Sequence, residues 1–247
     1  MYTFDSRIRY SETDASGRLS VTGIINYLQD CTTFHSEDMG VGVDYMKQVQ
    51  KAWFLSSWKI EILRRPELGE RITTGTWHYG TKGIYAYRNF GMWDEEEKEL
   101  VRADSIWILC DMKTGRPLRI AEEDVLPYGS CRPRLEMGAV PRKIEIPKEY
   151  EQKAGIVVAS HHIDTNQHVN NAKYVEIARE AWNSEKEISE IRADYKKAAV
   201  LGDILIPRIG KIGEEAVISL CREDGQPYAV VAFREKSVPD EGRGIEL

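Results

Sequence analysis

The sequence predicts an α+β protein that contains two copies of one unit, each with a long helix packed on an antiparallel sheet. The order of a strand, a helix and then four or five strands occurs twice along the 247 residues. One stretch of the first copy also aligns with one stretch of the second at a constant offset of 133. The helix of the second copy is apolar on two adjacent stripes, which predicts that the sheet wraps around it. An antiparallel α+β sandwich would give a similar order of elements.

The first copy begins with alternating apolar and polar residues, which predict a strand over 3–10. Apolar residues at helical spacing then predict a helix over 22–35. The residues with that spacing are Ile24, Ile25, Leu28 and Cys31. Period-two patterns separated by turn signals predict four further strands, over 53–63, 72–79, 84–92 and 100–111.

A proline-rich segment separates the two copies. Four of the nine prolines lie between 126 and 155, namely Pro127, Pro133, Pro141 and Pro147. Proline removes a ladder donor and disfavours regular structure before it, so this segment is predicted to be an irregular linker on the surface. We therefore predict a first domain over 1–130, a linker over 131–154 and a second domain over 155–247.

The second copy repeats the first. Its predicted elements are a strand over 155–163, a helix over 170–182 and strands over 188–197, 204–212, 216–222 and 228–236. Residues 62–70 align with 195–203 at the offset of 133: each stretch contains two adjacent basic residues, of which Arg64 and Lys197 coincide, and each ends in Leu-Gly followed by an acidic residue at the same places. This match favours duplication of one ancestral unit over two unrelated domains.

Composition excludes several classes of protein. The chain has 34 Lys and Arg against 40 Asp and Glu, a net charge of −6, so nucleic acid is not an expected partner. No apolar run approaches the roughly twenty residues of a membrane span, and the first residues resemble no targeting signal, so a cytoplasmic location is expected. The four cysteines are scattered and match no zinc motif, and we expect neither a metal nor a cofactor.

The densest cluster of polar residues lies at 161–174, where the predicted strand leads into the second helix. Asn170 or Asn171 is the expected N-cap of that helix. Unpaired backbone N–H groups and the positive end of the helix dipole would then face a bound group. The segment is therefore suited to an oxyanion that develops during acyl transfer.

Three side chains in this cluster are candidates for thioester or ester hydrolysis. His168 is the candidate general base, because histidine is the side chain that most often serves as one near neutral pH. Asn166 can donate to the carbonyl oxygen or hold a water molecule, and Asp164 can orient the imidazole or attack the carbonyl directly. A turn followed by a capped helix would explain the same residues without any catalysis. A metal site made from Asp164 and the histidines of this loop is disfavoured, because no second cluster of ligands appears elsewhere.

The segment from Asp164 through Asn166, His168, Val169, Asn170 and Asn171 to Lys173 and Tyr174 resembles the active-site signature of the acyl-acyl-carrier-protein thioesterases. The first copy also resembles this family, in the helix from Ile24 to Asp30, in the strand with Trp53 and Trp58, and in the turn at Gly69. The resemblance implies two tandem hotdog domains and release of free fatty acid from chains bound to acyl carrier protein. It also implies that Asp164, Asn166 and His168 are catalytic, and that the first domain shapes the acyl pocket.

One departure from the family affects the mechanism. Plant members carry a Glu-Cys pair after the Tyr-basic-basic run, and this chain has Ala198 and Ala199 there. A cysteine-dependent mechanism is thereby excluded at this position, and Glu176 is one candidate for the missing carboxylate. The first copy has no histidine at the place that matches His168, so we expect one active centre per chain.

The sequence also suggests residues for substrate and partner binding. Candidates for lining an acyl tunnel are Trp53, Phe54, Trp58, Tyr79, Tyr85 and Tyr87, although most are equally explained as core or sheet residues. Candidates for binding an acidic carrier protein are Arg64, Arg65, Arg132, Arg134, Lys196 and Lys197, although each is equally explained as a solvated charge. An acyl-CoA thioesterase, a hydratase of the same fold and a non-catalytic acyl-binding module remain alternatives. The chain could be a monomeric pseudo-dimer or a homodimer.

Overall fold

A computed structural model describes residues 1–138 and 143–236. The remaining parts of the predicted linker, which include Pro141, and of the second predicted domain, 237–247, lie outside the described residues. The first copy contains β1 (Tyr2–Arg7), α1 (Val21–Asp38), α2 (Val43–Gln48), β2 (Lys51–Ile62), β3 (Arg71–Lys82), β4 (Tyr85–Trp93), β5 (Glu99–Asp111) and α3 (Glu122–Val125). The second contains β6 (Glu151–Gln152), β7 (Ile156–Val157), α4 (Asn171–Trp182), β8 (Ile188–Tyr195), β9 (Ile204–Ile212), β10 (Glu215–Cys221) and β11 (Pro227–Glu235).

All these strands belong to one antiparallel sheet. Its order is β1-β3-β4-β5-β2-β8-β11-β10-β9-β6, and β7 also pairs with β9. The two copies join where β2 pairs with β8, and this ladder is symmetric about a pseudo-twofold axis. Lys59 lies opposite Arg192, its own equivalent at the offset of 133, and Trp58 lies opposite Ala193 while Ile60 lies opposite Ile191. The axis therefore passes between Lys59 and Arg192, as expected for a duplicated unit.

The two long helices pack on the inner face of the sheet. The side chain of Ser20 caps α1 by accepting from the N–H of Gly23 at 3.0 Å, and Asn170 caps α4 in the same way. Their buried residues belong to one core cluster that extends through both copies. Each Å² of apolar surface removed from water stabilises the folded state by about 25 cal/mol, so this shared core is the main contribution to stability. The architecture is the tandem hotdog that the resemblance implies.

The linker crosses the outer face of the first half of the sheet. The indole of Trp77 donates to the carbonyl of Pro133 at 3.0 Å, and the side-chain oxygen of Asn89 accepts from the N–H of Leu135 at 2.9 Å. Lys59 then donates to the carbonyl of Met137 at 2.6 Å. These hydrogen bonds satisfy backbone groups of a segment that has no ladder of its own.

Two local features differ from the sequence pattern. The strand predicted over 155–163 is regular only at Ile156–Val157, and a 3-10 turn follows over Ser160–His162. The N–H of Ala159 donates to Nδ1 of His162 at 3.0 Å, so a side chain takes the place of a strand partner. The short helices α2 and α3 were not predicted, because segments of six and four residues show too little periodicity.

Candidate functional site

The polar segment folds into a tight turn that precedes α4. Ile163 forms a β-bridge with Val169, and the N–H of Asp164 donates to the carbonyl of His168 at 2.8 Å. Oδ1 of Asp164 accepts from the N–H of Asn166, also at 2.8 Å. Gln167 has a φ of 64°, a left-handed conformation that is costly for a residue other than glycine. The turn therefore holds the carboxylate of Asp164 and the backbone of Asn166 in one fixed relation.

More backbone N–H groups in the first turn of α4 have hydrogen-bond partners than the sequence suggests. The side chain of Asn170 accepts from the N–H of Ala172 at 2.8 Å, and its carbonyl accepts from the N–H of Lys173 at 2.9 Å. Within the described ranges, only the N–H of Asn171 in the first turn has no hydrogen-bond partner. Asn170 is thus the N-cap, and one backbone donor of the helix end stays free for a bound group.

The two alanines that replace the family's Glu-Cys pair lie beside this turn. The carbonyl of Ala199 accepts from the N–H of Val169 at 2.9 Å, and its N–H donates to the hydroxyl of Tyr174 at 2.8 Å. Ala199 is fully buried, Ala198 is exposed, and neither lines the cleft described below. The backbone of Ala199 therefore anchors the turn, while no side chain at these positions takes part in chemistry.

Gln29 of α1 joins the first copy to the turn of the second. Its amide nitrogen donates to Oδ1 of Asn170 at 3.3 Å, and its oxygen accepts from the amide of Asn171 at 3.2 Å. Sequence reasoning missed this residue because only the apolar stripe of α1 was considered. The signal was a second, polar stripe at helical spacing, formed by Asn26, Gln29, Asp30 and Thr33.

A cleft with a volume of about 730 Å³ lies between the first copy and the turn. Its walls come from α1, α2, strands β2 to β5, residues 163–166 and the pair Asn170 and Asn171. Asp164 and Asn166 are part of the wall. The aromatic side chains in it are Trp53, Tyr87, Trp107 and Tyr128. This space is in the usual range for a small-molecule site, and it meets the turn at a carboxylate, that of Asp164, and an amide, that of Asn166.

His168 is placed differently from Asp164 and Asn166. It is half-buried and is not among the residues of the cleft wall. Across 1–138 and 143–236, its imidazole takes part in no hydrogen bond or ion pair, and Asp164 does not orient it. His161 and His162 pack against each other with ring centroids 4.1 Å apart. No group of three or more metal-ligating side chains occurs in the same ranges.

Two carboxylates are candidates to replace the glutamate that plant family members carry at the position of Ala198. Glu176 forms an ion pair with Lys173 at 2.9 Å and does not line the cleft. Asp30 does line it, has no hydrogen-bond partner among the described residues, and stands next to Gln29. Partial burial raises the pKa of Asp30, and the neighbouring Glu12 adds to the effect. Asp30 is therefore the better-placed carboxylate.

The aromatic candidates differ in whether they line the cleft. Trp53 and Tyr87 line the cleft, whereas Trp58 is 1 % exposed and packs in the core against Phe90. Tyr79 stacks on Tyr87 and donates to Asp104 at 2.7 Å. Phe54 and Tyr85 are not part of the cleft wall.

Most of the basic candidates already have acidic partners. Arg64 pairs with Glu70, Arg65 with Asp14, Arg134 with Asp104 and Lys196 with Asp194. Arg132 and Lys197 are exposed, and neither forms an ion pair in the described part of the chain. These two are the candidates whose charge is available to a partner.

Comparisons with known proteins agree with the fold. Residues 1–128 match the family model of the acyl-ACP thioesterase N-terminal domain, and residues 145–219 match that of the C-terminal domain. Relatives include a chloroplastic acyl-[acyl-carrier-protein] hydrolase of Cuphea viscosissima, 24% identical over 214 residues. A chloroplastic oleoyl-acyl carrier protein thioesterase of Arabidopsis thaliana is 24% identical over 220 residues. The alignments cover 80% of this chain but 51% and 60% of those relatives.

Solved structures share the whole fold. An acyl-ACP thioesterase from Bacteroides thetaiotaomicron superposes with a TM-score of 0.81 at 22% identity, over 95% of this chain and 97% of that one. The 12:0-ACP thioesterase from Umbellularia californica gives 0.82 at 20% identity, over 96% and 98%. The two family models together cover most of the sequence, so the chain belongs to the acyl-ACP thioesterase family.

Proposed function

We propose that this chain hydrolyses fatty acyl thioesters of acyl carrier protein to free fatty acid and carrier protein. The observation that carries the proposal is the place where turn and cleft meet. Asp164 and Asn166 stand in the wall of a cleft large enough for an acyl chain, and the side-chain amide of Asn166 has no partner in the described ranges. Family membership and the names of the relatives support the same reaction.

In the mechanism, Asn166 donates to the thioester carbonyl oxygen as that oxygen becomes anionic. His168 removes a proton from water while the water oxygen bonds to the carbonyl carbon. The carbon–sulfur bond then breaks, the carrier thiolate leaves, and the proton on the imidazole passes to the sulfur. Because His168 lies outside the cleft wall, this role requires its ring to turn toward the bound thioester. In the alternative, Asp164 attacks the carbonyl carbon, the carbon–sulfur bond breaks and the carrier thiolate leaves, and water then attacks the aspartyl carbonyl of the resulting anhydride, which releases the fatty acid and regenerates Asp164.

Asp30 supplies the carboxylate that Ala198 lacks. Its raised pKa makes it a stronger base than an ordinary aspartate, and Gln29 ties its helix to the turn. It orients the water or accepts its proton. The first domain thereby contributes to chemistry as well as to the acyl pocket.

The partner and the assembly form part of the proposal. Acyl carrier protein approaches a surface with exposed Arg132 and Lys197, and acidic partners are attracted by such unpaired charges. The domain division over 1–130, 131–154 and 155–247 stays part of the proposal. We propose a monomeric pseudo-dimer, and a homodimer is the alternative.

The compartment is also a proposal. None of the helices in the described ranges has the length and apolar character needed to cross a membrane. Cytoplasmic location stays a prediction, whereas the plant relatives named above are chloroplastic.

The test compares free thiol release from matched acyl-acyl-carrier-protein and acyl-CoA substrates, followed by identification of the fatty acids. We expect faster release from the carrier-bound chains, and loss of turnover in His168→Ala with an unchanged thermal unfolding profile. Preference for CoA would favour an acyl-CoA thioesterase, and no release from either substrate would favour a binding module. A single turnover in ¹⁸O water tests the nucleophile, because direct attack by water labels the fatty acid, whereas attack by Asp164 followed by hydrolysis at the aspartyl carbonyl places the label in Asp164.

A further inference from the structure

The floor of the cleft contains an arginine with no acidic partner. Arg88 of β4 is 7 % exposed and lines the cleft. Its Nη1 donates to Nδ1 of His35 at 3.1 Å and to the hydroxyl of Thr76 at 3.2 Å. The guanidinium also lies over the ring of Tyr128, 4.9 Å from its centroid. All three partners are uncharged, so the positive charge of Arg88 is not compensated by the described residues.

The groups around Arg88 reinforce this imbalance. Burial lowers the pKa of His35 to about 4, and the nearby Arg88 adds to the effect, so His35 is neutral at pH 7. His78 also lines the floor, is 7 % exposed, and has a buried Nδ1 with no hydrogen-bond partner in the described part of the chain. Burial lowers the pKa of Arg88 only to about 10, so it remains cationic at neutral pH. The floor therefore presents one full charge and one unsatisfied ring nitrogen.

A buried charge without a counter-charge is costly for a folded protein, and a buried polar atom without a partner adds to that cost. Other cations of the cleft are already neutralised, as in the pair of Lys51 with Asp124 at 2.6 Å. Within the described residues, Arg88 lacks a counter-charge and Nδ1 of His78 lacks a hydrogen-bond partner. These two groups distinguish the floor from the rest of the cleft. A hydroxyl group could satisfy the hydrogen bonds, but only an anion also compensates the charge.

The cleft has room for such a group at the far end of an acyl chain. Gln29, beside the turn, and Ser36, which is hydrogen-bonded to Tyr128 at 3.2 Å, both line it. Seven residues of α1 separate them, which is about 10.5 Å at the helical rise of 1.5 Å per residue. An extended chain advances about 1.2 Å per bond, so this length corresponds to roughly nine bonds. Between these points α1 faces the cleft with polar side chains, which suits an oxygen-bearing chain better than a purely apolar one.

We propose that Arg88 and His78 form a subsite for a carboxylate at the distal end of the acyl chain, so that the favoured substrates are half-thioesters of medium-length dicarboxylic acids. The proposal rests on the proposed function for the thioester end, and it adds the chemical class of the chain. Arg88 is the specificity-determining residue, because it alone supplies the compensating charge.

The first test measures binding without turnover. Methyl nonanoate and monomethyl azelate have the same length and the same ester end, and they differ by one carboxylate. Calorimetry on the whole chain is expected to give about ten-fold tighter binding of monomethyl azelate, as for a charge-assisted hydrogen bond. Equal binding of the two esters would overturn the proposal. Displacement of both esters alike by inorganic phosphate would also overturn it, because it would indicate a site for free anions.

Variants then locate the effect. Arg88→Met is expected to abolish the preference, and Arg88→Lys to keep part of it, since lysine retains the charge but not the planar donors. Lys51→Met is the matched control, and it should keep the ratio because Asp124 already neutralises that lysine. A preference that survives in Arg88→Met would overturn the assignment. If Arg88→Met does not fold, binding of the two esters to the wild-type chain and to Arg88→Lys still tests the carboxylate subsite.

Hydrolysis of acyl-carrier-protein thioesters with the same two chains separates this inference from the proposed function. Absence of any turnover together with a ten-fold binding preference would contradict only the reaction. Turnover with no preference for the carboxylated chain would contradict only the subsite.

Discussion

The turn before α1 and the turn before α4 have the same backbone and different side chains. Thr13 bridges Leu19 as Ile163 bridges Val169, and the N–H of Asp14 donates to the carbonyl of Arg18 as that of Asp164 donates to His168. Gly17 and Gln167 occupy the same left-handed position, with φ values of 72° and 64°. The two turns are thus equivalent at an offset of 150, and only their side chains distinguish them.

The first turn has an ion pair that the second turn lacks. Arg65 forms a salt bridge with Asp14, and the position that matches Arg65 at the offset of 133 is Ala198. The carboxylate of the first turn is therefore neutralised, whereas Asp164 has no cation beside it and lines the cleft. Ala198 carries no charge, so it cannot neutralise Asp164 as Arg65 neutralises Asp14 in the first turn.

The largest expected effect comes from removing one of the two matched carboxylates. Asp164→Asn is expected to lower kcat by about 10² to 10⁴, the usual range for a positioned acid or base. Asp14→Asn, its equivalent in the first turn, should leave kcat within about two-fold, because Asp14 does not line the cleft. Steady-state kinetics and thermal unfolding of both variants check this. Equal losses in the two would show that the turns do not differ in function.

Rebuilding the ion pair in the second turn should have the next largest effect. In Ala198→Arg, the guanidinium can pair with Asp164 as Arg65 pairs with Asp14, and kcat is expected to fall about ten-fold, equivalent to ~1.4 kcal/mol. Ala198→Met adds similar length without the charge and serves as the control. Activity that falls equally in both variants would attribute the loss to bulk.

Breaking the contact between α1 and the second turn should have a smaller effect. Gln29→Leu removes hydrogen bonds to Asn170 and Asn171, at about 1 kcal/mol each, so kcat/KM is expected to fall about five- to thirty-fold. Arg179 occupies the equivalent place on α4, and its pKa is lowered by burial and by the nearby Arg65. Arg179→Leu should leave kcat/KM unchanged. The comparison fails if both variants lose activity to the same extent.

The smallest expected effect is on stability. Arg65→Met is expected to lower the free energy of unfolding by about 1–2 kcal/mol at pH 7, because it leaves Asp14 half-buried without its partner. Burial opposes ionisation of Asp14, but hydrogen bonds from Ser16 and Arg65 leave its pKa below the ordinary 3.8. The contribution of Asp14 is therefore present above pH 3.8 and is lost as the pH falls further. Urea unfolding at pH 7 and pH 3 should show the difference between variant and wild type shrinking at the lower pH.

Local patterns predicted much of this fold. The stripe of Ile24, Ile25 and Leu28 is fully buried, and Asn170 is the cap of α4, as helical spacing and capping preference indicate. Gln29 and Arg88 were not found as functional candidates. Gln29 contacts residues 141 and 142 positions away, and Arg88 is isolated only because no described carboxylate reaches it. No periodicity reports contacts at such separations.

The sequence by itself determined the duplicated order of elements, the family and the residues of the polar turn, because these depend on neighbours within a few positions. Assignment of Asp164, Asn166 and His168 to catalysis stays a prediction. Tertiary structure decided which side chains share one cleft: it placed Asp164 and Asn166 in the wall, left His168 outside it, and brought Asp30 and Arg88 to the same space. The physical reason is that pairing of β2 with β8 fixes the two copies relative to each other, and that pairing joins residues about 130 positions apart, such as Lys59 and Arg192.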